Sequence, residues 1–268
     1  MELTAEVAGI ASRLVPSVEA PLQKKVGNRL LQLLAPEDYR LLAPSLQRVP
    51  LEPGAVLAQA GEPIEDLCFP EAGVIGFVDV LDSGQRLAVA LTGRDGFVGW
   101  PLLLGNDRWP HEAVVRAERG TALKIAAADL RDAMEASERI RTVLLRYTSS
   151  LAAQMTRTIV SNLIHAVERR TARWLLLYHD RVSGDEIVIT HEELGVMLGV
   201  RRESITQALH LLEGEGALKG FRGRLMVRDR QVLERFAGET YGFAEAEYAR
   251  LVVAGACEAG DRSDAAEI

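Results

Sequence analysis

From Asp129 to Tyr178 the chain contains neither glycine nor proline, and that run constrains its fold more than any other feature. With no turn residue to break it, the stretch must be mostly helical, and it separates whatever precedes it from whatever follows. Within it Ile140, Leu144, Tyr147, Leu151, Met155 and Ile159 succeed one another at steps of four and three, close to a helical seam. If residues 139–164 form one helix, it is roughly 39 Å long, enough to run beside a neighbouring domain and pair with a second copy of itself. The apolar seam has two possible uses, packing on its own domain or dimerisation. Arginines on its exposed side favour dimerisation.

Upstream of the run the texture is different. Residues 1–20 show no clear periodicity, Leu22, Val26, Leu30, Leu33 and Leu34 recur at helical spacing, and Pro36 opens another short helix. From Val49, turn signals recur at Pro53-Gly54, Ala60-Gly61, Glu71-Ala72-Gly73, Asp82-Ser83-Gly84 and Arg94-Asp95-Gly96. Punctuation of that kind between short apolar runs predicts an all-β barrel or sandwich. The strand candidates are Val56–Leu57, Asp66–Phe69, Val74–Leu81, Arg86–Leu91, Ala113–Arg116 and Ala122–Ile125, with helical character resuming at Ala126.

Downstream, residues 189–212 have the grammar of a helix-turn-helix. Thr190 is placed to cap a first helix whose core face is Leu194, Met197 and Leu198, and Glu193 stands three residues on, completing a capping box. Gly199 turns the chain. A second helix from about Arg201 buries Ile205, Leu209 and Leu212 and turns Arg202, Glu203, Thr206 and Gln207 outward. Those types match base edges: arginine with guanine, glutamate with the amino group of cytosine, glutamine with adenine. Thr190, His191, Arg201 and Ser204 join them as DNA-facing candidates. Gly214 and Gly216 end the helix, and residues 217–227 read as a β-hairpin with Arg222-Gly223 at its tip. Arg222 and Arg224, with Lys219 nearby, are candidates for backbone phosphates, which fix register without reading sequence.

The formal net charge of −7 speaks against a polyanionic partner only as an average. Residues 139–181 carry +6 and residues 200–235 carry +3, while residues 1–138 carry −7 and residues 236–268 carry −5. The basic middle suggests that Arg169, Arg170 and Arg173 lie near phosphates.

On these residues the chain, from about residue 25 to 250, resembles the Crp/Fnr family of bacterial transcription regulators. The resemblance is carried by the β-region turns, the long helix, and Thr190-His191-Glu192-Glu193-Leu194 followed by Leu198-Gly199-Val200-Arg201-Arg202-Glu203-Ser204-Ile205-Thr206, with Leu209, Leu212 and Gly216. Within the β region it looks most like a branch with Gly61-Glu62-Pro63-Ile64, Phe69-Pro70-Glu71 and Val98-Gly99-Trp100-Pro101. The resemblance implies an α+β chain: an N-terminal double-stranded β-helix (β-roll), a long central dimerisation helix and a C-terminal winged helix-turn-helix. The corresponding divisions are a lead-in at 1–21, a cyclic-nucleotide-binding-like sensor at 22–128, the dimerisation region at 129–164, the DNA-binding domain at 165–236 and an acidic extension at 237–268. It also implies a homodimer on a near-palindromic operator of double-stranded DNA, with RNA polymerase as a further partner. Arg202 and Glu203 fall on the family's usual base-contacting positions. Gln207 departs from the arginine that many members place there, which predicts a different operator.

The sensor departs from the family's cyclic-nucleotide clamp. Gly99 is followed by Trp100 instead of glutamate, and the phosphate positions fall near His111 and Glu112, where a carboxylate would repel a phosphate. Gly99, Trp100, Arg108, His111 and Glu112 therefore mark the expected effector pocket, with Arg116 close by, and no cofactor or specific effector is predicted. Cys68 and Cys257 are too few for a four-cysteine iron–sulfur cluster; Cys68 reads as a small buried hydrophobe, and the scattered histidines do not single out a haem ligand. The chain has no His-x-His, Gly-x-Ser-x-Gly, Gly-Lys-Ser/Thr or His-Glu-x-x-His signature, so no catalytic residue is predicted. Without a signal peptide or a membrane-spanning run, it is expected in the cytoplasm, with no membrane partner. Two other readings remain open: a regulator controlled by its abundance or a partner protein, and a nucleotide-binding signalling module that never meets DNA.

Overall fold

The computed structural model describes residues 20–255 apart from Ala117. Most of residues 1–21, and Cys257 with the rest of 256–268, lie outside the described residues. The chain opens with a 3-10 turn, Gln23–Lys25, and α1 (Arg29–Leu33), a shorter helix than the leucine spacing predicts. The reason lies in Asn28. Its side chain caps α1 by accepting from Leu31 N–H at 3.2 Å, and its amide donates to the Pro70 and Gly96 carbonyls at 2.8 Å each. The segment is thereby held against the β region by a buried polar contact and not by helical propensity alone. Helix α2 (Pro36–Leu42) begins at Pro36 as predicted.

Two antiparallel sheets follow. Strands β1 (Gln47–Leu51), β2 (Val56–Ala58), β3 (Asp66–Pro70), β4 (Ile75–Val80), β5 (Arg86–Thr92), β6 (Glu112–Val115) and β7 (Gly120–Ala126) form one sheet in the order β1-β7-β3 and another in the order β2-β6-β4-β5. A short helix, α3 (Trp100–Leu103), bridges β5 and β6. Leu67, Phe69, Phe77, Phe97 and Leu123 are fully buried between the layers. Strand β1 is absent from the predicted strands, because Gln47, Arg48 and Pro50 interrupt its apolar pattern. It stands at a sheet edge, where a proline without an N–H is tolerated.

The run without glycine or proline becomes three helices, α4 (Ala127–Ala136), α5 (Glu138–Ile164) and α6 (Val167–His179). The breaks fall at Ser137 and around His165, which take extended backbone angles. Helix α5 corrects the expected dimer seam. Ile140, Leu144, Tyr147 and Leu151 are buried in the chain's own first core, with the Tyr147 ring against Phe97 at 5.3 Å. Met155 is half-buried, and of the expected seam only Ile159 is exposed; it shares an outward face with Leu145, Ser149, Ala152, Thr156 and Leu163.

Beyond α6 lie β8 (Glu186–Val188), α7 (His191–Leu198), α8 (Arg202–Gly214), β9 (Leu218–Phe221), β10 (Arg224–Val227) and α9 (Arg230–Ala237). Strand β8, too short to show a period, pairs with β10 and makes the hairpin a three-stranded sheet, β8-β10-β9. Trp174, Leu194, Ile205, Leu209, Leu212 and Leu233 build a second core, which also takes in Val74, Ala88 and Leu91 from the β-roll. The chain then returns toward its start. Helix α10 (Phe243–Tyr248) runs on into a π-helical turn, Ala249–Ala254, and Val252 is buried in the first core.

Candidate functional site

The helix-turn-helix is assembled from its own sequence. Thr190 accepts from Glu193 N–H at 3.1 Å, and the Glu193 carboxylate accepts from Thr190 N–H at 2.8 Å, so the predicted capping box is formed. Gly199 ends α7 with φ of 64°, a left-handed conformation that glycine adopts without strain. Val200 then leads to Arg201, the N-cap of α8.

The candidate DNA-facing residues divide into free and committed groups. Arg202, Glu203 and Gln207 are exposed on α8 and make no side-chain hydrogen bond or ion pair among the described residues. Thr206 is committed. Its hydroxyl donates to the Arg202 carbonyl at 3.1 Å and accepts from His191 Nδ1 at 2.9 Å, tying the start of α7 to α8. Burial, and then the charge of Arg202, hold the His191 pKa below its ordinary value, which suits this neutral-imidazole bond. With the hydroxyl occupied, the Thr206 methyl is the part left to meet a base. Arg201 is exposed and Ser204 half-buried, both at the first turn of α8. In the wing, Arg222 is exposed at the tip, whereas Arg224 pairs with Glu186 at 3.3 Å and lies over the Phe221 ring. Lys219 is held by Glu213 at 2.6 Å.

Several arginines of the basic middle are engaged within the protein. Arg173 is 1% exposed and donates to the Thr240 carbonyl at 2.9 Å, to the Thr158 hydroxyl at 3.1 Å and to the Gln154 carbonyl at 3.1 Å. Burial pulls its pKa down to about 10, so it stays charged at neutral pH. Arg169 donates to the Phe236 carbonyl at 2.9 Å, Arg170 to Asn162 and the Leu198 carbonyl, and buried Arg181 pairs with Asp95 at 2.7 Å. The expectation that Arg169, Arg170 and Arg173 face phosphates is thus corrected for Arg173. Its fork satisfies carbonyls at the junction of α5, α6 and the residues after α9.

In the β-roll, Gly99 adopts φ of 138°, and a Cβ there would run into the Leu67 side chain. That close approach seats Trp100, whose ring stacks on His111 at 5.5 Å, while Phe77 meets the same imidazole edge-on at 5.4 Å. Burial lowers the His111 pKa, so the ring is neutral. Neither Trp100 Nε1 nor His111 Nε2 has a hydrogen-bond partner among the described residues. Glu112 pairs with Arg86. Arg108 does not join this group: it is exposed and donates to the Gly61 carbonyl at 2.8 Å. Cys68 is buried as predicted, and burial pushes its thiol up to about 11. No group of three or more His, Cys, Asp or Glu among the described residues is placed to hold a metal ion, and no helix there is long and apolar enough to cross a membrane.

One participant was invisible to sequence reasoning. The β4–β5 hairpin lies against the helix-turn-helix, with Leu87 touching the turn at Gly199. Gln85 and Arg86 form one wall of a cleft of about 660 Å³ opposite Glu192, Val196, Arg201 and Arg202. The two sides are more than a hundred residues apart, so no local pattern announces the contact.

Comparison with known proteins agrees with this anatomy. Residues 48–137 match the profile of the cyclic nucleotide-binding domain, and residues 169–236 that of the Crp-like helix-turn-helix domain. The chain is similar to the cyclic AMP receptor protein of Thermus thermophilus, 26% identical over 214 residues that cover 79% of this chain and 97% of that one. Its fold is similar to that of FixK2 from Bradyrhizobium japonicum, with a TM-score of 0.63, 18% identity, and coverage of 72% of this chain and 98% of the other. It is also similar to TTHB099, a CRP-family transcriptional regulator from Thermus thermophilus, with a TM-score of 0.59, 19% identity, and coverage of 71% and 97%.

Proposed function

Because the chain belongs to the Crp/Fnr family of helix-turn-helix transcription regulators, we propose that it reads a near-palindromic operator as a homodimer through Arg202, Glu203 and Gln207. The observation that carries this reading is the state of those three side chains. They stand exposed on one helix, without partners among the described residues, beside a wing whose tip arginine is also exposed. Base readers need unspent donors and acceptors on a rigid element, and α8 is rigidly held by Ile205, Leu209 and Leu212. Arg222 supplies phosphate contact that fixes register.

The outer stripe of α5 supports dimerisation. Leu145, Ile159 and Leu163 are 37%, 61% and 79% exposed, unusual for large aliphatic residues on one face of a long helix. Small residues between them allow close approach of a second copy. Two-fold symmetry would then set the reading helices about 34 Å apart, one DNA turn.

We further infer that the sensor lacks the cyclic-nucleotide phosphate clamp. Glu112, near the position where the resemblance expects a phosphate partner, is a carboxylate already paired with Arg86, and Trp100 stacks on its neighbour His111. This arrangement favours control without a cyclic nucleotide, and the hairpin seated on the helix-turn-helix offers a direct route from roll to reading head.

Selection of DNA from a random pool by the purified chain, followed by binding at several salt concentrations, tests the reading. A two-fold symmetric consensus bound in preference to scrambled DNA is the expected result. Enrichment of no sequence, with a uniform response to every DNA, would refute it.

A further inference from the structure

A polar recess outside the sites described so far lies where the β-roll, α5, α6 and the C-terminal extension meet. It has a volume of about 410 Å³, within the range of small-molecule sites. Three arginines face three acids on its wall, but the hydrogen bonding there is unbalanced. The acids are engaged: Asp95 accepts from Arg181 at 2.7 Å, Asp180 accepts from Arg230 at 2.7 Å and from Tyr241 at 2.9 Å, and Glu245 accepts from Gly242 N–H at 2.9 Å. The donors are not. Arg181 is 7% exposed, and its Nε–H has no hydrogen-bond partner among the described residues; the buried Tyr248 hydroxyl has none either. Arg29, on the same wall, makes no ion pair there among the described residues. An unpaired buried donor costs stability unless something accepts from it. Two such donors, with the exposed Arg29 beside them, come from three separate elements that line one recess. Beside them the rings of Tyr147 and Tyr241, with Leu151 and Ala244, give an apolar surface.

We propose that this recess binds a small organic acid, its carboxylate accepting from Arg29, Arg181 and Tyr248 and its apolar body lying against Tyr147, Tyr241 and Leu151. A carboxylate fits the surplus of donors, and a planar or aliphatic body fits the walls, which a bare inorganic anion would leave uncovered. The site is distinct from the Trp100–His111 region of the roll. Because its walls come from the roll, α5, α6 and the extension, an occupant would hold all four together. The inference does not depend on which DNA the chain reads.

Calorimetric titration of the full-length protein with a graded set of aryl and alkyl carboxylates, from acetate to phenylpropionate, each beside its neutral amide, tests it. At least one carboxylate should bind with a Kd below about 1 mM, its amide about tenfold or more weaker. Tyr248→Phe deletes only the unpaired hydroxyl, and Arg29→Gln alters an exposed side chain. Both should keep the wild-type melting temperature to within a few degrees while losing about tenfold in carboxylate affinity. If Tyr248→Phe fails to fold, Arg29→Gln alone decides. The proposal is overturned if no carboxylate binds at millimolar concentration, if the amides bind as tightly, if inorganic phosphate binds in their place, or if the foldable variants bind unchanged.

Discussion

Two arginines of the same chain show how little a residue type says before its surroundings are known. Arg202 is exposed without an internal partner, and Arg173 is buried with three. Arg202→Ala should leave unfolding free energy within about 0.5 kcal/mol of wild type. It should weaken operator binding by about 1–3 kcal/mol and relax preference at one base position. Fluorescence anisotropy with single-base operator variants distinguishes this from a phosphate contact, which would weaken every sequence alike. Arg173→Ala should behave in the opposite way. It strands the Thr240 carbonyl and removes the charged donor from the Gln154 carbonyl and the Thr158 hydroxyl, which keep their own bond at 3.0 Å; with charge-assisted bonds worth about 1.5–3 kcal/mol each, a loss of at least about 3 kcal/mol is expected in urea unfolding. An unchanged unfolding midpoint would mean that those bonds do not form in solution.

At the scale of elements, α5 has two apolar faces, one covered by the roll and one exposed. Leu144 faces the roll and is 3% exposed, so Leu144→Ala should cost about 2–5 kcal/mol and leave the oligomeric state of the folded fraction unaltered. Ile159 faces outward, so Ile159→Glu should spare the fold and shift the chain from dimer to monomer in sedimentation equilibrium. A dimer that survives Ile159→Glu together with Leu163→Glu would move the interface off this stripe. The helical period was readable in the sequence; the choice of face was not. Apolar residues occur around more than half of α5, and the roll covers the bulkier set. By contrast the helix-turn-helix was legible almost to its ends, because a capping box, a left-handed glycine and one buried stripe are all local devices.

For the molecule as a whole, the consequential contact joins the β4–β5 hairpin to the reading head. If that contact holds the helix-turn-helix in place, Leu87→Ser, which loosens it from the roll side, should raise operator affinity without changing base preference. Equal affinity for the two proteins in a filter-binding titration would leave the hairpin without a gating role. The acidic extension also takes on a different character. Val252 is buried in the first core and the segment before it walls the recess, so removing residues after Arg235 would open the roll as well as subtract charge. Charge-neutral substitutions beyond residue 255 separate the two effects.

The sequence by itself determined the order of architectures, the turns of the β-roll, the capped helix-turn-helix and the outward row at Arg202, Glu203 and Gln207. Each depends on neighbours within a few residues, where periodicity and turn chemistry act directly. Only the tertiary structure decided which face of α5 is free, that Arg173 and Arg181 serve the interior, that Arg108 stands apart from Trp100 and His111, and that the hairpin meets Gly199. Those outcomes depend on which distant surfaces come together, and burial and hydrogen-bond pairing between segments far apart in the chain leave no local trace in the order of residues.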